Sequence, residues 1–452
     1  MKLKQIELDN FRNFSRFETT LDERLTVLVA RNGQGKTSVL DGLAILLGSF
    51  VGSFDMGKGR HIERSDARYR RQGEDAEQEQ QYPVRVAGTV AGLADDETYI
   101  VRELNGPKSR TTIKDAACLT QYGKTLMQQV RDLESVTLPL VSYYGTGRLW
   151  KTHKNLKRKA VLSESRTLGY EDCLSSASNY LQLQEWMGKA TLAVLQQQER
   201  TPEKPSRLVG QLNAVLRSVD MVLEAEGWSG IHYSLAYEEL AMQQEGQGIL
   251  PVSQLSDGVR TIVSMIADMA WRCAKLNPHL GAEAAQKTPG IVLIDEVDLH
   301  LHPAWQQRVI QSLQITFPNM QFIVTTHSPQ VLTTVSRECI RLLENEWSEE
   351  NQEWLTASTE PDFQTRGVAS VETLSRIMGI DPVPDVKEAR MLAEYRQAIE
   401  QGDAQAPFAV KLHQQLVAHF GKNHPEMIEC ERLQRFQAMK RKMQGRESAS
   451  DA

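Results

Sequence analysis

Residues 30–37 read Ala-Arg-Asn-Gly-Gln-Gly-Lys-Thr. The apolar run LTVLV at 25–29 comes before them, and an apolar helical pattern continues from Ser38 to Leu47. A strand, a glycine-rich turn and a helix in that order are the setting of a phosphate-binding loop. Glycines let backbone N–H groups converge on a β-phosphate, and the helix N-terminus adds positive potential. The nucleotide-binding candidates are therefore Asn32, Gly33, Gln34, Gly35, Lys36, Thr37 and Ser38. Lys36 is expected to reach the β- and γ-phosphates of ATP, and the Thr37 hydroxyl to ligate Mg²⁺. Such loops usually open on glycine, but this one opens on Ala30. A positive φ there would cost an alanine about 1–2 kcal/mol.

Residues 291–296, IVLIDE, are an apolar strand ending in two acids. Asp295 suits a carboxylate that holds Mg²⁺ through water, and Glu296 a general base that polarises the attacking water. A second apolar strand, 322–325, runs into Thr326-His327-Ser328-Pro329. A neutral His327 there can hydrogen-bond a γ-phosphate. LSDGVR at 255–260 precedes a helix, so Ser256 and Gly258 can offer donors to an anion, though Ser256 would serve equally as a plain N-cap. His300 and His302 form an H-x-H pair compatible with a metal or with a simple turn.

These residues need a scaffold of alternating strands and helices. Between 255 and 344 the pattern runs helix, strand, helix, strand, helix and strand, as in an α/β sheet. TLPLVSYY at 137–144 is a further buried strand that leads into Gly145–Arg148. Residues from about 170 to 226 turn helical in period, with Val209, Leu212, Val215, Leu216, Val219, Val222 and Leu223 on one face. Residues 52–80 carry six Lys/Arg and a polar stretch, and read as a surface insertion.

Order and spacing join the motifs. Asp295 follows Ser256 by 39 residues, and His327 follows Glu296 by 31. ARNGQGKT, LSDGV, IVLIDEVDLHLHP and TTHSP together resemble the Walker A, signature, Walker B plus D-loop, and switch-histidine motifs of the ABC-type ATPase heads of the SMC/RecF superfamily. The resemblance covers roughly residues 1–344. It implies an α/β fold: a P-loop head with an inserted helical lobe. It also implies ATP and Mg²⁺ as cofactors, catalytic roles for Glu296 and His327, and metal-site roles for Thr37 and Asp295. A homodimer or higher homo-oligomer would sandwich ATP, with Ser256 and Gly258 facing the partner's P-loop and Asp298 in a D-loop at the interface. Asp257 departs from the signature's common second glycine.

The short head, YYGTGRLW and the tail GVASVETLSRIMGIDPVPDVKEARMLAEYRQAIEQGD are similar to the PtuA-like ATPases of Septu antiphage systems, also found with some retrons. This second resemblance implies a separate HNH-type nuclease partner (PtuB-like) that the ATPase scaffolds and regulates. C-terminal helices would dock it, and a retron reverse transcriptase with its DNA is a further partner of such systems. Residues 345–452 show no D-x-D pattern, HNH pattern or zinc spacing, so no nuclease centre of the chain's own is expected. A RecF-like DNA-repair ATPase and a nucleotide-dependent scaffold with negligible hydrolysis stay open beside this reading.

The expected organisation is an ATPase domain at 1–344 with the helical lobe at about 150–226, a connector at 345–368, a C-terminal all-helical docking module at 369–446, and a disordered tail at 447–452. The net charge of −6 argues against a general nucleic-acid coat protein but allows local basic segments. One such segment holds Arg148, Lys151, Lys154, Lys157, Arg158 and Lys159 beside Trp150 and is a candidate nucleic-acid contact. No apolar run reaches 18 residues, and the five cysteines are far apart. That pattern points to a cytoplasmic chain with buried thiols and no membrane partner.

Overall fold

The computed structural model describes the chain apart from residues 72–76, 94–96, 148–164, 177–179, 201–206, 350–352 and 451–452, and apart from the side chains of 71 and 441–450. The candidate contacts Arg148, Lys151, Lys154, Lys157, Arg158 and Lys159 lie outside the described residues. The chain divides into a unit of Met1–Met378 and a unit of Gly379–Ala452.

The first unit is built on ten strands that position its site. β1 (Lys2–Phe11), β2 (Phe14–Thr20), β4 (Val84–Ala91) and β5 (Thr98–Leu104) form an antiparallel sheet in the order β2-β1-β4-β5. A six-stranded sheet contains β3 (Leu25–Val29), β6 (Leu140–Tyr144), β7 (Gly290–Ile294), β8 (Met320–Thr325), β9 (Ile340–Ser348) and β10 (Glu353–Thr359). Its order is β10-β9-β3-β8-β7-β6, parallel except for the β9–β10 hairpin. Every residue of β3, β7 and β8 is buried, which explains why they read as unbroken apolar runs: a parallel sheet is covered on both faces.

The P-loop helix, Lys36–Val51, packs on strands of both sheets and is buried at every residue except Thr37. Its Val39, Leu40, Leu43, Leu46 and Leu47 are at most 0% exposed, each contributing about 1.5–3 kcal/mol by burial. The amide of Gln321 is one tie between the antiparallel sheet and the core. Gln321 on β8 accepts from the Leu3 N–H at 2.8 Å and donates to the Leu3 and Asp22 carbonyls at 2.7 and 2.8 Å.

The middle of the unit is the helical lobe, with described helices Tyr180–Arg200 and Arg207–Leu223, followed by a three-stranded sheet of Trp228–Ser234, Glu239–Gln244 and Gly248–Pro251. The signature helix, Asp257–Leu276, runs from there into the core. A buried ion pair locks it: Arg272 Nε donates to Asp268 Oδ2 at 2.7 Å, and Arg272 also reaches the Gly169 and Glu171 carbonyls. Tyr144, at the end of β6, donates to the same Asp268 oxygen at 2.7 Å.

The structure departs from the sequence reading in four places. The connector expected at 345–368 is largely the β9–β10 hairpin, whose polar, tryptophan-bearing strands extend the sheet at its edge. Residues 52–80, expected as a surface insertion, are partly packed into the unit, because Ile62, Asp66 and Ala67 are buried and Arg60 pairs with Asp41 at 2.8 Å. Helix Ser370–Arg376, expected in the C-terminal module, falls in the first unit, whose boundary is Met378 and not 344. The last helix continues through Ser450, past the expected end of the module at 446 and into the expected tail. Of the cysteines, Cys173, Cys273 and Cys430 are buried, Cys118 and Cys339 are half-buried, and all five are free thiols.

The second unit holds helices Lys387–Gln401, Pro407–Phe420 and Pro425–Ser450. Gly402, at φ 85°, ends the first of them in the left-handed conformation that glycine permits. A small core of Tyr395, Ile399, Leu416, Met427 and Cys430 joins them. No described helix in the chain is long and apolar enough to cross a membrane.

The Asp268–Arg272 pair yields a stability prediction. Arg272→Leu leaves a buried carboxylate without its counter-charge and should cost about 3–5 kcal/mol. The Asp268→Leu/Arg272→Leu double variant should lose less than the sum of the singles, as read from urea denaturation midpoints.

Candidate nucleotide site

β3, β8 and β7 are neighbours and parallel, so their C-terminal ends open on one edge of the sheet. That edge is where ligands bind in open α/β sheets. The phosphate-binding loop follows β3, Asp295 and Glu296 follow β7, and His327 follows β8. A cleft of about 290 Å³ there is lined by Asn13, Asn32, Gly33, Gly35, Lys36, Thr37, Ser38, Asp295, Glu296 and His327.

The loop takes its shape from Gly33 at φ 81° and Gly35 at φ 93°. Ala30 keeps a negative φ, so the cost anticipated for an alanine at that position does not arise. Gly35 is also close-packed: a Cβ there would sit 2.3 Å from the Phe14 ring. Gln34 does not line the cleft, and its side-chain oxygen accepts from the Arg31 N–H at 2.7 Å, closing the loop on itself. Lys36 Nζ donates to the carbonyls of Ala30 at 2.8 Å and Arg31 at 3.3 Å. Burial pushes the Lys36 ammonium below its usual range, while Asp295, Glu296 and Asp298 oppose that shift.

Asp295 is 2% exposed and receives a hydroxyl on each oxygen. Thr37 donates to Oδ2 at 2.9 Å and Thr325 to Oδ1 at 2.7 Å. Thr37 and Asp295 thus present hard oxygen donors side by side at the mouth of the loop, a set that fits Mg²⁺. Glu296 has a left-handed φ of 49°, costly for a non-glycine residue. Two bonds to Thr325 hold it: the Glu296 N–H donates to Thr325 Oγ1 at 2.7 Å, and the Val297 N–H to the Thr325 carbonyl at 2.9 Å. Burial, followed by the charge of Lys36, pushes the His327 imidazole below its usual range, which keeps it neutral at pH 7.

The remaining predicted residues lie elsewhere in the chain. Ser256 caps the signature helix, accepting from the Val259 N–H at 3.5 Å, and neither it nor Gly258 lines the cleft. A Cβ on Gly258 would meet the His300 carbonyl oxygen at 2.5 Å, so the signature turn and the 298–302 loop are in close backbone contact. Asp257 pairs with Arg260 at 2.7 Å. Asp298 accepts from the Thr326 hydroxyl at 2.5 Å, which joins the loop after β7 to the turn that carries His327. His302 caps the short helix Pro303–Gln306, and among the described residues no group of three or more His, Cys, Asp or Glu is placed to hold a metal ion.

Sequence reasoning missed Asn13 and Thr325. Asn13, in the β1–β2 turn, donates to the Gly33 carbonyl at 2.8 Å and lines the cleft. A lone asparagine in a hairpin turn carries no motif, so nothing in the sequence marks it. Thr325 lies inside the TTHSP motif, but its buried position between two acidic residues is visible only once β7 and β8 are paired.

Fold and site together define a P-loop nucleotide-binding head. The chain belongs to the RecF/RecN/SMC N terminal domain family, whose model matches residues 2–349. It is 40% identical to the retron Ec83 probable ATPase of Escherichia coli over 181 residues, 40% of this chain and 31% of that protein. The retron Vc95 probable ATPase of Vibrio cholerae serotype O1 biovar El Tor is 25% identical over 391 residues, 76% of this chain and 73% of that protein. The Septu protein PtuA of Bacillus mycoides (strain KBAB4) is 35% identical over 141 residues, 30% of this chain and 18% of that protein. The matched region thus spans less than a third of the Ec83 and Bacillus mycoides relatives and about three-quarters of the Vibrio one.

Thr325→Val keeps the shape of the side chain but removes the donor to Asp295 and the acceptor for Glu296. It should slow nucleotide hydrolysis at least tenfold, leave nucleotide affinity within about threefold, and cost about 1–3 kcal/mol of stability. Single-turnover assays beside equilibrium titrations separate these effects.

Proposed function

We propose that the chain is the ATP-binding and hydrolysing subunit of an antiphage defence system, and that its nucleotide state controls a separate nuclease. The observation that carries the reading is the convergence of Lys36, Thr37, Asp295, Glu296 and His327 on one cleft from three neighbouring strands. The retron-ATPase and PtuA names of its relatives support the defence context.

In this reading the loop N–H groups and Lys36 bind the phosphates. Thr37, with Asp295 behind it, would hold Mg²⁺, which neutralises phosphate charge when bound. Glu296 orients the attacking water and accepts its proton. Neutral His327 donates an N–H to the terminal phosphate oxygens, where charge grows during transfer. Fixing Asp295 and Glu296 through Thr325 removes the reorganisation that would otherwise accompany the reaction.

Ser256 and Gly258 lie outside the cleft of their own chain. Their proposed role is to close the cleft of a second copy, with Asp298 in the loop between the two heads. The helices of the second unit are the proposed nuclease-docking module. Phe408, Val410, Ile428, Phe436 and Met439 are exposed there.

Glu296→Gln should bind ATP with near-wild-type affinity and lower its hydrolysis by at least a hundredfold, a change within the usual contribution of a general base. Lys36→Ala should abolish binding. Hydrolysis that persists in Glu296→Gln removes Glu296 from its role. Co-expression with the product of the neighbouring gene should give a complex that survives gel filtration and is lost when 379–452 are deleted. A neighbouring gene that encodes no nuclease overturns the defence reading.

A further inference from the structure

The phosphate cleft offers no phenyl, phenol or indole face for a nucleobase to stack on: its lining is backbone, hydroxyl, amide, carboxylate, ammonium and imidazole groups. A second cavity, of about 470 Å³, adjoins it and shares Asn13 and Gly33 as a common wall. Its other walls are Arg68, Tyr69 and Arg70 on one side and Asn345, Trp347, Glu353, Trp354 and Thr356 of the β9–β10 hairpin on the other.

Trp347 and Trp354 are directly opposed across the hairpin, with ring centroids 5.6 Å apart and planes at 70°. They remain 52% and 61% exposed, and Tyr69 is 55% exposed. Three large aromatic residues turned toward one cavity and left in water call for an occupant. Two indoles at a steep angle form a corner, so a flat ring laid on one of them meets the other along its side. The walls are also braced. Arg68 NH2 donates to Glu353 at 2.9 Å with both side chains mostly buried, so the carboxylate in the cavity is neutralised. Thr356 donates to the Asn345 side-chain oxygen at 3.0 Å, which leaves the Asn345 amide N–H groups as donors for a heteroaromatic ring. Arg70 is exposed at the rim.

We infer that this cavity seats the purine base and ribose of the nucleotide whose phosphates occupy the adjoining cleft, with Trp347 and Trp354 as the stacking corner. This rests on the nucleotide-binding reading of the cleft above. The shared wall supplies the connection: Asn13 and Gly33 border both cavities, so a ligand whose anionic tail lies on the loop at Gly33 can extend past Asn13 into the aromatic cavity. The β9–β10 hairpin, polar and without a motif in the sequence, then serves to select a nucleoside triphosphate over a bare polyphosphate. Stacking on an indole is tolerant of the base, so the seat does not by itself distinguish one purine from another.

The test uses the full-length chain, with Mg²⁺, titrated calorimetrically with ATP and separately with inorganic tripolyphosphate. Wild type should bind ATP at least tenfold more tightly than tripolyphosphate. Trp354→Ala and Trp347→Ala should each weaken ATP by tenfold or more while leaving tripolyphosphate within twofold, and Trp354→Phe should recover most of the loss. Lys36→Ala should weaken both ligands. ATP binding by wild type that is no tighter than tripolyphosphate binding, or that is unchanged in both alanine variants, overturns the base seat and leaves the phosphate cleft standing. Equal losses for ATP and tripolyphosphate in the tryptophan variants overturn it too, since they report a damaged fold. Wild type that binds neither ligand overturns the nucleotide reading itself.

Discussion

The Asp295 carboxylate, held between the hydroxyls of Thr37 and Thr325, is the interaction on which the site depends. It joins three separate parts of the chain: the first turn of the P-loop helix, the end of β7 and the end of β8. A buried carboxylate with both oxygens engaged by donors is tolerable, whereas one left bare would be costly. The acid can therefore sit 2% exposed at the base of a phosphate site without destabilising the sheet beneath it. Thr325 extends the arrangement by accepting from the Glu296 N–H, and so supports the unfavourable φ of that residue. Geometry that is strained in isolation persists here because its surroundings over-determine it.

Around this clamp the chain places two further connections. The Asp295 N–H donates to the Tyr144 carbonyl at 2.8 Å, and the Tyr144 hydroxyl donates to Asp268 on the signature helix. The acidic end of β7 is thus linked to the helix that Ser256 caps through a buried, hydrogen-bonded path. On the other side, Asp298 and Thr326 join the loops after β7 and β8, and Gly258 abuts the His300 carbonyl. Both routes connect the phosphate cleft to the signature turn within one chain, although the turn does not enter that cleft.

The P-loop, the acidic strand end and the switch histidine were legible because each is a local pattern: an apolar run, then a short polar or glycine-rich segment of constrained chemistry. Burial on both faces of a parallel sheet forces β3, β7 and β8 to be apolar throughout, and that density of apolar residues is visible without coordinates. Of the hairpin at 340–359, a strand up to residue 344 was legible and the rest was not. Its strands lie at the sheet edge with Glu344, Asn345, Glu346 and Trp347 exposed, so their composition imitates a connector. The segment 52–80 misled for a related reason: its arginines look like solvated charge, yet Arg60 is drawn to Asp41 and Arg68 to Glu353. Composition reports how many charges a segment has, and their partners are set by which strands become neighbours.

By itself the sequence determined the chemistry available: a loop able to bind phosphate, two acids at a strand end, a histidine after the next strand, and the order in which they occur. Those follow from local rules of backbone conformation and burial that act over a few residues. Only the tertiary structure decided that Thr37, Asp295 and Thr325, which are hundreds of residues apart or on different strands, meet at hydrogen-bond distance. It also decided that Asn13 borders both the cleft and the cavity lined by Trp347 and Trp354, and that Ser256 and Gly258 do not line the cleft. Each of these is a consequence of strand order in the sheet. That order is set by the packing of the whole core, and no spacing along the chain encodes it.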